Sequence, residues 1–345
     1  MKMRSRNLGK YPILVILVIL MIFAGNVIIG YSTELKLEVT SINKNTSKSP
    51  SSSQSYVVHA PILITSDGGF SSYNFSGVGT RNDPYLIEGY NITSTGTPSF
   101  GIEIRNTNAF FVINSCVIYA DYIGVGLQSV SSGSSKIVGN RIISLIGDGG
   151  GITLNNMQNC TISDNICTNF MQGIHLNGAD NCIIYDNYLY NIHDQGISIR
   201  NSDSNNITYN RIRNSMTHGI ALVLSSSNNL IHHNILEENA WSDSYNIDGT
   251  QVNEKPTSQG YDEGSDNIWY DSESKEGNAW SDYFGIGPYQ IDGPSNSVDL
   301  YPSNITDLNP FNLILSIGSI AIILVGAFLF YKFYHKKKRI VKKEE

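Results

Sequence analysis

Asp164-Asn165, followed shortly by Gly173-Ile174-His175-Leu176, is the phrase from which the rest of the chain can be read. The glycine half returns as Gly101-Ile102-Glu103-Ile104, Gly124-Val125-Gly126-Leu127, Gly151-Ile152-Thr153-Leu154, Gly196-Ile197-Ser198-Ile199 and Gly219-Ile220-Ala221-Leu222. Its steps are 23, 27, 22, 23 and 23 residues. The asparagine half keeps the same beat at Asn114, Asn140, Asn165, Asn187, Asn210 and Asn234. A sustained period of this length is the mark of a solenoid, in which no repeat buries its apolar face without a neighbour.

The columns within the repeat say which solenoid. Phe111, Ile137, Ile162, Ile184, Ile207 and Ile231 lie three residues before each marker asparagine. Cys116, Ile142, Cys167, Leu189, Ile212 and Leu236 lie two after it. Apolar residues alternate with polar ones in short β-branched runs, the period of a strand with one buried face. Helical spacing is absent from the repeats. The recurring glycine fits a turn or a close backbone approach, and the asparagines are expected to stack as a ladder. The fold class is therefore all-β, a right-handed parallel β-helix with coils about 4.8 Å apart.

The ends are of a different kind. Lys2, Arg4, Arg6 and Lys10 precede an apolar run, so residues 1–30 read as a signal peptide or signal anchor. Residues 31–57 are rich in Ser, Thr, Asn and Lys and read as a flexible linker. Residues 311–331 contain a 19-residue apolar run from Leu313 to Tyr331, expected to be a transmembrane helix. The basic segment 332–345 is then a cytoplasmic tail, which puts the β-helix domain outside the cell membrane. The middle of the chain, 31–331, holds 12 basic and 28 acidic residues, a net of −16. That charge repels phosphate backbones and argues against nucleic acid as a partner. Six acceptor sequences for glycosylation begin at Asn45, Asn74, Asn91, Asn159, Asn206 and Asn304.

The solenoid domain is expected over 58–302, with an N-terminal cap at 58–100, repeats over 101–240, and an acidic loop and C-terminal cap over 241–302. The phrase Asn239-Ala240-Trp241-Ser242-Asp243 recurs as Asn278-Ala279-Trp280-Ser281-Asp282, with an insertion between the two copies. Cys160 and Cys182 share a column with Ala109, Ser135, Asn205 and Asn229, either as stacked thiols or as a strained disulfide. Cys116 and Cys167 are expected to stay free.

Three motifs together resemble the NosD-like right-handed β-helix proteins and the wider group of carbohydrate-binding and sugar-hydrolase β-helices. They are the repeat Asn-x-Ile/Leu with Gly-Ile-x-Leu, the opening Gly79-Thr80-Arg81-Asn82-Asp83-Pro84-Tyr85, and the closing Gly277-Asn278-Ala279-Trp280-Ser281-Asp282-Tyr283. The resemblance covers roughly 58–302. Likeness to NosD implies a role in copper delivery, yet the chain has no His/Met/Cys cluster of ligand spacing to support it.

Several residues could carry chemistry. Asp164 and Asp186 precede marker asparagines on successive coils and could form a carboxylate pair, a catalytic candidate. Asp121 and Asp148 sit three residues before their glycines, with His193 and Asp194 at the matching corner later on. Arg141, Tyr185, Tyr188, Tyr209 and Arg211 make a plausible platform for sugar rings. Asp262, Glu263, Asp266 and Asp271 lie in an acidic loop that could take calcium; no other cofactor is indicated. His175 is expected to point outward. The first reading is a non-catalytic module binding a glycan or cell-surface polymer. A polysaccharide lyase or hydrolase is the alternative, and a copper-system accessory protein the third. Depolymerisation is not expected, because Asp164 and Asp186 have Gly139 and Tyr209, not a base, on either side.

Overall fold

The computed structural model describes residues 56–96, 99–247 and 249–305. The segment 1–30, nearly all of 31–57, Asn45, the expected membrane helix 311–331 and the tail 332–345 lie outside the described residues. Among those described, no helix is long and apolar enough to cross a membrane.

The chain winds as an all-β, right-handed parallel solenoid of about nine turns. Three sheets form its walls, with ten, eight and seven strands. The first runs from Val57–His59 through Tyr188–Ile192 and Arg211–Ser215 to Ser303–Asn304. The second runs from Ile62–Ile64 through Gln172–Asp180 and Ile197–Arg200 to Gly260–Asp262. The third runs from Tyr85–Glu88 to Leu230–His232. Strands within each wall pair in parallel with the equivalent strand one coil away, as Ile152 with Ile174 and Ile174 with Ile197. The core is a set of rows one residue deep. Ile137, Ile162, Ile184, Ile207 and Ile231 form one row, and all are fully buried.

The asparagines form the expected ladder, with one correction. Asn140, Asn165, Asn187, Asn210, Asn234 and Asn278 are stacked. Each side-chain oxygen accepts from the backbone N–H of the residue one coil earlier, at 2.9–3.1 Å. Each Nδ2 from Asn140 to Asn234 donates to the next oxygen in the row at 2.9–3.0 Å. Asn114 is not a member: its place is taken by Cys116, whose N–H donates to Asn140. The register pairs Ile113 with Ile137 and Ile118 with Ile142. With Cys116 at the ladder position, Ile113 and Ile118 fall in the same fully buried rows as Ile137 and Ile142. In the same way Phe111, rather than Ala109, aligns with Ser135 in the cysteine column. All four cysteines are buried and unpaired.

The recurring glycines serve close approach. A Cβ on Gly151 would lie 2.5 Å from the carbonyl oxygen of Gly173 on the next coil, and one on Gly173 would lie 2.6 Å from that of Gly196. Left-handed backbone positions include instead the residue before each ladder asparagine from Asn140 to Asn234: Gly139, Asp164, Asp186, Tyr209 and His233.

Both ends are plugged. Phe70 is buried and stacks on Tyr85 with centroids 4.5 Å apart. The segment 58–100 already contributes strands to all three sheets, so the solenoid runs through the expected cap. At the other end Trp269 and Trp280 are fully buried. Their indole N–H groups donate to the buried carboxylates of Asp262 and Asp299, at 3.1 and 3.0 Å. Asp299 also accepts from the backbone N–H of Asn278 at 2.7 Å, so it terminates the asparagine ladder. Trp241 is half exposed, so the two copies of the tryptophan phrase have different fates.

Candidate functional site

The site begins with an interruption. After Ile235–Glu237 the chain does not continue directly into the next wall. It leaves as an insertion that folds into an antiparallel hairpin, Tyr245–Ile247 with Thr250–Val252, and returns at Gly260–Asp262. Ile247 packs against Ala221 and Val223 on the outward face of the second sheet, with Tyr245 and Tyr261 beside them. Apolar outward residues in the last coils thus give the hairpin its seat.

Next to that seat the outward face turns polar. One row reads Thr153, His175, Ser198, Ala221, and its neighbour reads Asn155, Asn177, Arg200, Val223. A cleft of about 380 Å³ opens here, between Gln172, Asp194, Gln195 and Arg200 on the solenoid and Asn246 and Gly249 on the insertion. This volume lies within the usual range for small-ligand sites, roughly 300–1,000 Å³.

Burial pushes the Asp194 carboxyl up to about 6, against a hydrogen bond from the Thr217 hydroxyl and the attraction of Arg200. That hydrogen bond is 2.8 Å long. Burial, with Arg200 in support, pushes His175 down to about 4. At neutral pH the cleft lining therefore holds one cation and one carboxylate on the edge of protonation, with the neutral His175 imidazole near enough to Arg200 to feel its charge. Beside them, His175 Nδ1, Gln195 Oε1 and Ser198 Oγ are buried without a hydrogen-bond partner. Leaving such atoms unpaired costs about 1–3 kcal/mol each, a cost that a polyhydroxylated ligand could relieve if it reached them. His218 lies deeper, under Tyr245 and Tyr261, and its Nε2 is 3.5 Å from Asp292 Oδ2, at the limit of a hydrogen bond.

Of the candidates read from sequence, Asp194 lines this cleft, whereas the carboxylate pair and the aromatic platform lie elsewhere. Asp164 and Asp186 are exposed at the corner between the third and first sheets. They do sense each other: Asp186 is raised by burial and then by the charge of Asp164. On the outward face of the first sheet, Tyr188 and Tyr190 present near-parallel rings 6.2 Å apart. Tyr188 pairs with Arg211 on the next coil, but Arg211 is held by Glu237 through bonds of 2.7 and 3.0 Å. Arg141 is set apart from this group by Ile166. Tyr185 ends a strand of the third sheet, and Tyr209 stacks on His233 at 4.9 Å. The structure thus joins Tyr188 with Arg211 and leaves Arg141, Tyr185 and Tyr209 on the periphery.

The acidic loop is not a cage. Asp262 is fully buried, its oxygens taken by Gly264 N–H, Asn267, Trp269 and Ser297. Glu263 accepts from Leu224 N–H and from the Tyr261 hydroxyl. Asp266 is exposed, and Asp271 caps its own turn through Glu273 N–H and Ser274. Among the described residues no three His, Cys, Asp or Glu side chains gather as a metal site. His175 faces away from the core as expected, but it is half-buried rather than open to solvent. Of the acceptor asparagines, Asn74 and Asn159 are exposed, whereas Asn91, Asn206 and Asn304 are half-buried in strands.

The cleft was missed because its residues are scattered over columns that each look ordinary. One signal was present: Gln172, Gln195 and His218 stand directly before three successive glycines, and His175 and Ser198 share the third position of the phrase. The cover supplied by the insertion has no signature in the repeat.

Residues 130–260 match the family model described as right handed beta helix region. No curated protein matches the chain. Among solved structures it is similar to the DFA-IIIase from Arthrobacter chlorophenolicus A6 in complex with GF2. The TM-score is 0.41 at 14% identity, over 55% of this chain and 55% of that one. The same enzyme in complex with DFA-III gives 0.38 at 14% identity, over 66% and 62%. The enzymatically active domain of tailspike protein 2 from Bacteriophage CBA120 gives 0.26 at 12% identity, over 72% and 47%. The chain therefore spans between half and two thirds of the first two of these structures. At this level the likeness conveys no activity.

Proposed function

We propose that this chain is a β-helix held outside the cell by its C-terminal membrane segment, and that it binds a glycan in the cleft beneath the 245–252 hairpin. The observation that carries the reading is a cleft lined by Asp194, Arg200 and Gln195, whose Oε1 is buried without a partner, with the partnerless His175 Nδ1 and Ser198 Oγ on paired strands of the same sheet. Sugar hydroxyls both donate and accept, which is what an imidazole nitrogen, an amide oxygen and a hydroxyl require together. Binding is favoured over cleavage because Asp194 is the one carboxylate among the described residues lining the cleft, whereas glycoside hydrolysis usually takes two. The −16 ectodomain favours a neutral glycan over an anionic one.

The paired rings of Tyr188 and Tyr190 favour a second contact surface for sugars on the first sheet. Screening the full-length chain on a glycan array, with and without calcium, tests both surfaces. Binding should be lost in Arg200→Ala and Gln195→Ala and retained in Tyr188→Ala. Loss in Tyr188→Ala with retention in Arg200→Ala would move the site to the first sheet. Absence of any glycan bound would overturn the reading.

A further inference from the structure

The far end of the solenoid carries a feature that glycan binding does not use. Residues 283–291, Tyr-Phe-Gly-Ile-Gly-Pro-Tyr-Gln-Ile, contain no charge, in an ectodomain that is otherwise strongly acidic. Within them Phe284 is 89% exposed and Ile286 is 88% exposed, the two most exposed large apolar side chains among those described. Gly285 and Gly287, both with positive φ, hold them at the tip of a tight loop. Neither glycine has a neighbouring atom within 4 Å of where a Cβ would stand, so the tip projects free of the protein. Large apolar side chains displayed in this way mark a contact surface.

The route of the chain says which surface. Ala279–Trp280, just before the loop, pairs with Ser303–Asn304, the last strand described. The Asn304 side chain also donates to the Tyr283 carbonyl, so the loop and the chain's exit lie side by side. The apolar run that begins at Leu313 is eight residues beyond Ile305. Eight residues span at most about 29 Å even when fully extended. A membrane entered at Leu313 must therefore lie close to the face that carries Phe284 and Ile286. Leu300 and Tyr301, both partly exposed, lie just before the last strand.

We propose that the Phe284–Gly287 tip inserts into the interfacial layer of the same membrane that anchors the chain. The partner is a lipid surface of neutral headgroups, since the ectodomain's negative charge disfavours anionic ones. An aromatic and a branched aliphatic side chain on a charge-free loop suit the boundary between headgroups and acyl chains. The solenoid would then stand on the bilayer on two attachments, which restricts its tilt. This inference rests on the membrane-span part of the proposed function and is independent of what the cleft binds.

The test uses the full chain in phosphatidylcholine nanodiscs. The native thiols are buried, so a cysteine introduced by Ile286→Cys can be labelled selectively with an environment-sensitive fluorophore. Co-elution of the protein with the discs reports the membrane segment on its own. Given co-elution, the label should show a blue-shifted emission and at least two-fold quenching by lipids carrying nitroxides near the headgroup. A label introduced by Val58→Cys, at the opposite end, should be quenched much less. Emission as in water, without quenching, overturns the proposal while leaving the anchor intact. So does a blue shift that depends on protein concentration and resists lipid quenchers, because the tip would then pack against a second copy. Failure to co-elute overturns the span and the tip together.

Discussion

At the residue scale the molecule depends on side chains that finish the hydrogen bonding of the backbone. Asn187 accepts from the N–H groups of Asn165 and donates to Ile162, Tyr185 and Asn210, all within 3.0 Å. Asn187→Leu removes these bonds and strands the donors of Asn165 in the core. A loss of about 2–4 kcal/mol in urea unfolding is expected, and a loss below about 0.5 kcal/mol would contradict the role given to the ladder.

Asp194 acts in the opposite direction. Its pKa is raised in the folded chain, so the folded state holds the proton more tightly than the unfolded one. Its contribution to stability therefore falls as pH rises from about 4 through about 6. His175 is lowered to about 4, and its contribution rises with pH between there and its ordinary value of 6.5. The two slopes oppose and partly cancel. Asp194→Asn should stabilise the protein by roughly 1–3 kcal/mol at pH 7 and by nearly nothing at pH 4, as measured by urea unfolding at both. An equal effect at the two pH values would show that the carboxyl is not buried as described.

At the element scale the repeat was legible and its interruption was not. Ile162, Ile184 and Ile207 stack inward because strand alternation leaves them no other choice. The same reasoning placed Asn165, Asn187 and Asn210 one above another. It failed at Asn114, where a ladder-like residue sits two positions before the true register. There the sequence offered two alignments, and the one adopted stacks Ile113 on Ile137 and Ile118 on Ile142. The insertion was visible only as a gap in the beat. Its composition did not reveal that Ile247 would lie on Ala221 and Val223, so the cleft between hairpin and wall could not be foreseen. The hairpin contributes one wall of the cleft and few contacts to the core. Ile247→Asp should therefore lower glycan affinity at least ten-fold while shifting the main unfolding transition by less than about 3 °C. Loss of cooperative unfolding would mean that the insertion is part of the core.

At the scale of the whole molecule the solenoid is close to one-dimensional: each coil touches its neighbours, and the ends need lids. The sequence called for caps at both ends, and apolar lids close them at Phe70 and at Trp269 and Trp280. The buried carboxylates beneath the two indoles were not legible, because an aspartate in an acidic stretch reads as solvated until the fold closes over it. Asp262, one of four acids that could take calcium, is such a residue. The Asp164→Asn, Asp186→Asn double variant should leave glycan binding unchanged, since that corner lies away from the cleft. A drop in affinity in that variant would return attention to the carboxylate pair.

The central claim is that a glycan occupies the space between the second sheet and the hairpin. Amide hydrogen exchange of the full chain, with and without the glycan selected on the array, tests it most directly. Ligand should slow exchange in 172–177, 194–200 and 245–252 and leave 188–190 and 211–213 unchanged. Protection confined to 188–190 and 211–213, with none in the hairpin, would contradict it.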